Sequence, residues 1–175
     1  SATIGSGVIN FGDEAFATCS YLNHISVGSN IGKKAFYECS RLTDVHILDG
    51  VTEIGESAFA FCSVLGQSIG LTTIVIPDTI VSIGDMAFAS CKQLKSVTIG
   101  SGVSTIGYKA FYYCTDLINA TFKNTSGWEC TSDDAEIDEI NILESDLQKI
   151  EIAAQFLYSN SKTTYFNYYW HRTTK

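Results

Sequence analysis

A motif that recurs at intervals of 20 to 29 residues constrains this chain more than any other feature of its sequence. Its clearest copy begins at Ile106-Gly107, continues through Ala110-Phe111 and Cys114, and ends at Leu117. Four related copies precede it, with Ala-Phe pairs at residues 15–16, 35–36, 58–59 and 87–88. A repeat of this length is too short to bury its own apolar face, so successive copies must stack on one another. The sequence therefore predicts a solenoid.

Each repeat is predicted to form one coil with two short strands and a helical turn. Alternation of apolar and polar residues over 94–99 predicts a strand with Val97 and Ile99 facing the core. Residues 103–106 are predicted to form a second short strand on the opposite side of the coil. The Ala-Phe pair and the cysteine are separated by three and four residues, a spacing that favours one or two helical turns.

The C-terminal part of the chain lacks the repeat. A short strand is predicted at 140–142, and a helix is predicted from Ser145, where a capping box precedes an apolar stripe. The aromatic segment 165–170 is predicted to be a strand. We therefore divide the chain into a solenoid over residues 1–122, which starts in the middle of a repeat, and a C-terminal cap over residues 123–175.

The repeat resembles that of the BspA-like, or Treponema-type, leucine-rich repeat family. The match covers residues 2–122 through five Ala-Phe-x-x-Cys units, and the tail around Gly127-Trp128 and 168–172 is similar to a terminal module that follows such arrays. The resemblance implies an α/β repeat fold. We expect a right-handed leucine-rich-repeat solenoid of about five 23-residue coils, with short parallel strands on two faces, short helical turns and a small α/β C-terminal cap.

The same resemblance implies a function. Members are surface-exposed or secreted proteins of bacteria and some protozoan parasites, and several are adhesins. An extracellular or cell-surface location is therefore expected, and the family has no catalytic residues to transfer. Two departures limit what is transferred: the array is short, and Pro77 is its only proline.

Charge and motifs exclude several classes of function. The net charge is −8, and nine of the 19 acidic residues lie between Glu129 and Glu151, which argues against a nucleic acid partner because phosphate contacts need clustered Lys and Arg. No apolar run is long enough to predict a membrane span. Neither a G-x-S-x-G motif, a phosphate-binding loop nor an H-E-x-x-H motif occurs, so we predict no catalytic residues, no cofactor and no enzyme activity.

Five of the six cysteines occupy the same position of the repeat. In adjacent coils they are expected about 5 Å apart, a separation that a disulfide tolerates. Five equivalent thiols also suit a buried ladder of small apolar groups beside stacked phenylalanines, and we expect them to be free, although bridges stay open. Their spacing does not match the paired cysteines of a zinc site, so no metal is predicted.

Two exposed surfaces are candidates for ligand binding. The first, which we call the sheet face, is the outward side of the first strand of each coil: His24, Asp44, His46, Thr73, Val75, Ser96, Thr98, Asn119 and Thr121. There His24 and Asp44 are expected to be cross-strand neighbours, with His46 diagonal to His24. Such a group suits a metal or an acid–base pair, but an ordinary solvated face accounts for it as well.

The second candidate is a set of aromatic residues that follow the Ala-Phe pairs: Tyr37, Phe61, Tyr112 and Tyr113. Aromatic residues are enriched at interfaces, although these four also suit padding between neighbouring coils. The inserted segment Gly66–Gly70 is interpreted as a surface bulge, with ligand contact as the alternative.

We therefore predict a non-enzymatic cell-surface or secreted module for binding or adhesion, which recognises a protein or glycan partner such as a host matrix protein. The alternative is a structural spacer and end-cap of a larger multidomain surface protein. Because the chain begins in the middle of a repeat, its uncapped N-terminal coil is also expected to allow self-association.

Overall fold

The computed structural model describes residues 2–4, 11–64, 66–131, 140–141 and 169–173. These residues form a β-solenoid of about four turns, compared with about five expected. Every regular element among them is a short strand: β1 (Ala2–Ile4), β2 (His24–Val27), β3 (Asp44–Ile47), β4 (Glu53–Ile54), β5 (Thr73–Val75), β6 (Ser82–Ile83), β7 (Ser96–Ile99), β8 (Thr105–Ile106), β9 (Asn119–Phe122), β10 (Trp128–Thr131), β11 (Ile140–Asn141) and β12 (Tyr169–Arg172).

Short parallel strands lie on two faces of the solenoid, as predicted. The first strands of the coils form two three-stranded parallel sheets, β1-β2-β3 and β5-β7-β9. The second strands, β4, β6 and β8, pair in parallel in a separate sheet. In the described residues no ladder joins β3 to β5, and the longest interval of the chain, with the Gly66–Gly70 insertion, lies between these two strands.

The segments for which helical turns are predicted consist of consecutive reverse turns instead. In one coil, Ala35 N donates to Gly32 O at 3.2 Å and Tyr37 N donates to Lys34 O at 3.0 Å. Lys34 and Glu38 have φ values of +54° and +56°, which an α-helix does not accommodate. The helical turns are therefore not confirmed, because left-handed residues at two fixed positions break the segment into turns.

The turn segments also pair with one another. Phe36 N donates to Ala58 O at 2.8 Å, and the equivalent bond from Phe59 N to Ala87 O is 2.7 Å long. The glycine that follows each isoleucine allows this close approach: a β-carbon on Gly84 would lie 2.6 Å from Glu56 N. The coils are thus joined by backbone hydrogen bonds on the turn side as well as in the sheets.

A column of phenylalanines fills the interior. The rings of successive coils stack with centroids 5.2–5.5 Å apart and interplanar angles of 8–11°. Four of the five members are fully buried, and the alanine that precedes each of these four is buried as well. Val97 and Ile99 also face the core, as the alternation predicts. The column consists of Phe16, Phe36, Phe59, Phe88 and Phe111.

The repeat cysteines are free, and four of them form the predicted buried ladder. Each buried thiol donates to the backbone carbonyl of the phenylalanine in the preceding coil, over 3.1–3.2 Å. Burial raises the pKa of Cys39 to about 11, and it raises the pKa values of Cys62 and Cys114 well above the usual range. Cys19 is exposed. The side chain of Cys130 lies outside the described residues.

The C-terminal strands continue the second sheet. β12 pairs antiparallel with β8 and with β10, and β10 pairs with β11. Trp128 and Trp170 are buried, and their rings lie 5.4 Å and 6.0 Å from that of Phe122. The strand predicted at 140–142 is confirmed at Ile140–Asn141, and the aromatic strand is found at Tyr169–Arg172. The helix predicted from residue 145 and segment 165–168 fall outside the described residues.

Candidate binding surfaces

The sheet face has the predicted register within each of its two sheets. His24 lies opposite Asp44. Thr73, Ser96 and Asn119 form one row across β5, β7 and β9. Val75, Thr98 and Thr121 form the next row. These side chains are exposed or half-buried. Val75 is the apolar member of the set, and it is 58% exposed.

On this face, His24, Asp44 and His46 converge as predicted. His24 Nδ1 lies 2.5 Å from Asp44 Oδ2, and His46 Nε2 lies 3.1 Å from Asp44 Oδ1. The carboxylate is thus shared by two imidazoles, and the three side chains are between one third and two thirds exposed. Among the described residues, no group of three or more metal-ligating side chains has an arrangement that holds a metal ion. The cluster is a solvated hydrogen-bonded network on an open sheet.

Three of the four predicted aromatic residues come together around a cleft of about 430 Å³. This volume lies in the range of about 300–1,000 Å³ that is typical of small-molecule sites. We call it the aromatic cleft, and its lining consists of Phe61, Ser63, Ser90, Lys92, Tyr112 and Tyr113.

The repeat explains how the cleft is built. Phe61, Ser90 and Tyr113 occupy the same repeat position in three successive coils, and each has φ of +60°. Phe61 N donates to Ala89 O at 2.8 Å, and Ser90 N donates to Tyr112 O at 2.6 Å, which places the three coils side by side. A small serine therefore separates two aromatic side chains that are 46% and 48% exposed. The cleft is the gap above this serine.

Sequence reasoning missed the polar part of the lining. Ser63 and Lys92 directly follow the cysteines of two neighbouring coils, and Ser90 shares the repeat position of Phe61. A comparison of that position between coils would have found the cleft, because an aromatic, a small and an aromatic residue follow one another there.

Positive charge gathers at the cleft. Lys92 lines it, and Lys109 Nζ lies 4.8 Å from the Tyr108 ring centroid and 5.1 Å from that of Tyr112, distances that suit cation–π contacts. The rings of Tyr112 and Tyr113 meet edge to face at 4.5 Å. Burial and the neighbouring Tyr113 raise the pKa of Tyr112. No acidic side chain belongs to the described lining.

The fourth aromatic residue, Tyr37, does not line the cleft. Its ring packs edge to face against Phe61 at 5.5 Å, and Lys34 Nζ lies 5.5 Å from its centroid. Tyr37 therefore supports Phe61 from the adjacent coil, which agrees with the padding alternative at this one position.

The Gly66–Gly70 insertion lies beside the cleft and is held by its own hydrogen bonds. Val64 N donates to Ile69 O at 3.0 Å, and Ser63 pairs with Gly70 in an isolated antiparallel bridge. Ser63 Oγ in turn donates to Ser90 O at 3.0 Å. The insertion is the bulge that the sequence predicts, and its base forms one edge of the cleft.

A second cavity, of about 300 Å³, lies between the N-terminal coils beside β4. Its acidic lining includes Asp13, Glu53 and Glu56, and Lys33 Nζ pairs with Glu56 at 2.8 Å. Hydrogen bonding to Glu56 raises the pKa of Lys33. Lys33 thus neutralises part of the negative charge of this cavity, and the described lining has no exposed aromatic side chain.

Comparisons with known proteins agree on the repeat. The model of the BspA-type leucine-rich repeat region matches in six copies, over residues 1–69 and 64–170. A leucine rich cell surface protein from Faecalibacterium prausnitzii is 31% identical, with a TM-score of 0.58 over 70% of this chain and 32% of that one. A leucine rich repeat protein from T. pallidum is 29% identical, with a TM-score of 0.60 over 69% of this chain and 57% of that one.

A leucine-rich repeat protein from Bacteroides ovatus, 24% identical with a TM-score of 0.54 over 71% of this chain and 37% of that one, supports the fold alone. The chain thus spans between about one third and three fifths of the length of these three proteins. A search of curated proteins finds no match. Within the part of the chain that the structure describes, no helix has the length and apolar content needed to cross a bilayer.

Proposed function

Since the chain belongs to the BspA-type leucine-rich repeat family, we propose that it is a non-enzymatic binding module, displayed on a cell surface or secreted. Proteins with such repeats are generally protein-interaction modules, and one of the similar structures is a leucine rich cell surface protein. The partner is a protein or a glycan outside the cell, of which a host matrix protein is one example.

The aromatic cleft carries this proposal. Phe61 and Tyr113 are large side chains that remain 46% and 48% exposed, although the same chain buries every phenylalanine of the interior column almost completely from Phe36 onward. Aromatic residues are enriched at the cores of binding interfaces, and tyrosine and tryptophan are enriched among their hot spots. The sheet face is a second contact surface in this proposal. The His24–Asp44–His46 network lies on its first sheet, and Val75 lies on its second.

An absence of catalysis is part of the proposal. The His24–Asp44–His46 network is the strongest candidate for acid–base chemistry, yet it lies on an open sheet rather than in a cleft. Exclusion of water strengthens catalytic electrostatics, and this site does not provide it.

A structural role is the second candidate, and the C-terminal segment favours it. Trp128 and Trp170 cover Phe122, and Arg172 Nη1 donates to Ser101 O at 2.9 Å, so β12 lies along the last described coil. In this alternative, residues 123–175 cap a spacer formed by residues 1–122 within a larger surface protein.

The test compares binding with location. The whole 175-residue chain is immobilised and exposed to extracellular matrix proteins and to glycans, with binding followed by biolayer interferometry. We expect at least one of these partners to bind, and Phe61→Ser combined with Tyr113→Ser to weaken that binding at least tenfold. Tyr21→Ser is the matched control, because Tyr21 is an aromatic residue 84% exposed outside the cleft.

Protease shaving of intact source cells, read with an antibody to the chain, supplies the second measurement. Release of the chain by protease from intact cells is the expected result. Confinement to the cytosol contradicts the proposal. Surface exposure without binding to any matrix protein or glycan supports the spacer alternative instead.

A further inference from the structure

We propose that the aromatic cleft binds a saccharide that carries a carboxylate, with one sugar ring between Phe61 and Tyr113 and the carboxylate beside Lys92. The inference rests on the proposed binding function and specifies the class of ligand for the same cleft. Four features of the cleft lead to it: the spacing of its walls, the polar groups between and beside them, its charge and its exposure to solvent.

The spacing of the walls fits a single ring. Phe61 and Tyr113 are two coils apart, and adjacent coils in this chain are joined by backbone hydrogen bonds. Two coil spacings place the backbones of the walls roughly 10 Å apart. A ring that contacts both walls at the usual carbon–carbon separation needs roughly 7–8 Å. One ring therefore fits, and a second does not.

The cleft is lined mainly by apolar surface, and its polar groups lie between and beside the two aromatic walls. Ser90 lies between the walls, Ser63 lies at the side with its hydroxyl donating to Ser90 O at 3.0 Å, and Lys92 completes this edge. A sugar presents apolar C–H faces to the two walls and hydroxyl groups around its rim. An aromatic side chain from a peptide would cover the same polar groups without replacing the hydrogen bonds to water that the serines lose, which costs free energy.

Charge favours an anionic sugar over a neutral one. The chain has a net charge of −8, so a local positive site is unusual for it. Within the described lining, Lys92 is the one side chain that is charged at neutral pH, and Lys109 lies behind the Tyr112 ring. A carboxylate on the ligand complements both cations, and no negatively charged side chain belongs to the described lining that would repel it.

The cleft is open to solvent, so the affinity for one unit is low. A monosaccharide of about a dozen heavy atoms at ordinary ligand efficiency corresponds to a Kd of about 1 mM. Affinity of this order suits a repeated glycan or a multivalent surface, where several weak contacts act together.

The probes are glucuronic acid and glucose, which differ only at C6, where a carboxylate in the first stands in place of a hydroxymethyl group in the second. Each is titrated into the ¹⁵N-labelled full chain, and amide shifts are followed by NMR. We expect glucuronic acid to shift the amides around Ser63, Ser90, Lys92 and Tyr113 with a Kd of about 1 mM, and glucose to bind at least fivefold more weakly. Lys92→Gln is expected to remove the preference and to leave the weak binding of glucose.

Two variants that remove a wall and one variant that fills the space between the walls test whether the sugar ring lies between Phe61 and Tyr113. Phe61→Ala and Tyr113→Ala are each expected to weaken binding at least tenfold. Ser90→Phe should abolish binding without unfolding the chain, since Phe61 and Tyr113 show that this left-handed position accepts an aromatic side chain. Tyr21→Ala, outside the cleft, is the control and should leave the Kd unchanged.

Several results would overturn the inference. These are equal binding of glucose and glucuronic acid, shifts confined to another surface, unchanged binding by Ser90→Phe, or tighter binding of N-acetyltryptophanamide in the cleft. If saccharide binding is lost while a matrix protein still binds in a manner that depends on Phe61 and Tyr113, the ligand class is wrong and the binding function stands. If neither binds, both proposals fail.

Discussion

The interior column and the outer row beside it are built on the same backbone but follow opposite rules of composition. In the column, every coil contributes a phenylalanine, and the rings stack within 5.5 Å of one another. Two residues further along, the outer row has five different residues in five successive turn segments, although φ stays between +56° and +60°. The outer row consists of Thr18, Glu38, Phe61, Ser90 and Tyr113.

The difference shows that the backbone is specified from the inside. Stacked rings hold the turn segments in register, and four of the five segments add a buried alanine and a thiol–carbonyl bond. The outer row contributes backbone hydrogen bonds that any residue except proline can make. Because the fold does not select the outer side chains, their identity is available for recognition. An aromatic–serine–aromatic succession in that row is therefore informative in a way that five identical phenylalanines are not.

The largest effect is expected from the column. Phe88→Ala removes a fully buried ring that stacks on both neighbours, and it should lower the free energy of unfolding by about 3–5 kcal/mol. Phe61→Ala, in the outer row, should cost less than about 1 kcal/mol, in line with most exposed substitutions. Urea unfolding followed by circular dichroism measures both. Similar losses for the two variants would show that the outer row also determines the fold.

A smaller effect is expected from the thiol ladder. Cys91 Sγ donates to Phe59 O at 3.1 Å, so Cys91→Ala removes a buried donor and should cost about 1–3 kcal/mol. Cys91→Ser retains a hydroxyl donor and should cost less than the alanine variant. The same urea titration shows whether the cysteine repeats in each coil as a hydrogen-bond donor or as an apolar filler. If serine is the worse of the two substitutions, the cysteine acts only as an apolar filler.

The smallest effect concerns a charge on the outside of a coil. The backbone N–H of Ser101, 2.8 Å from Asp78 Oδ1, and the Lys123 ammonium, 3.0 Å away, lower the pKa of Asp78 below its usual value of 3.8. Because the folded pKa is depressed, the ionised carboxylate stabilises the fold above about pH 4, and this contribution disappears as the pH falls through the folded pKa.

Asp78→Asn should therefore be less stable than the native chain at pH 7, with the difference shrinking as the pH falls below about 4. Thermal unfolding at several pH values measures it, and Asp49→Asn, at an exposed aspartate in a neighbouring turn, is the control. If the stability difference between the two chains stays constant with pH, it arises from the altered hydrogen bonding of the amide and not from the loss of charge.

Much of the fold follows from the sequence because the repeat is periodic. Val97 and Ile99 are assigned to the core correctly by alternation alone, and the register of His24 with Asp44 follows from counting repeat positions. The turn segments were not foreseen, since spacings of three and four residues occur in a helix and in a series of reverse turns alike. Glycine is the usual sign of a left-handed backbone position, but such positions in this chain carry residues like Lys34 and Glu38. The sequence therefore does not indicate these turns.

The candidate site was predicted only in part. Phe61, Tyr112 and Tyr113 were selected as exposed aromatic residues, and they line the cleft. Ser90 and Lys92 were missed because neither residue type stands out by itself; their importance depends on which side chains flank them in the adjacent coils. Tyr37 looked equivalent to the other three, yet its contact with Phe61 places it on the far side of the wall.

The coils differ in length, but their interior phenylalanine rings stack at nearly the same spacing, and this has a consequence for how such a chain can diversify. The longest interval accommodates its extra residues in the Gly66–Gly70 bulge, while Phe59 and Phe88 remain 5.3 Å apart. Gain or loss of a whole coil by recombination would therefore change the separation of two surface residues in steps of about 5 Å. The width of a cleft between two such residues would then depend on the number of coils that separate them.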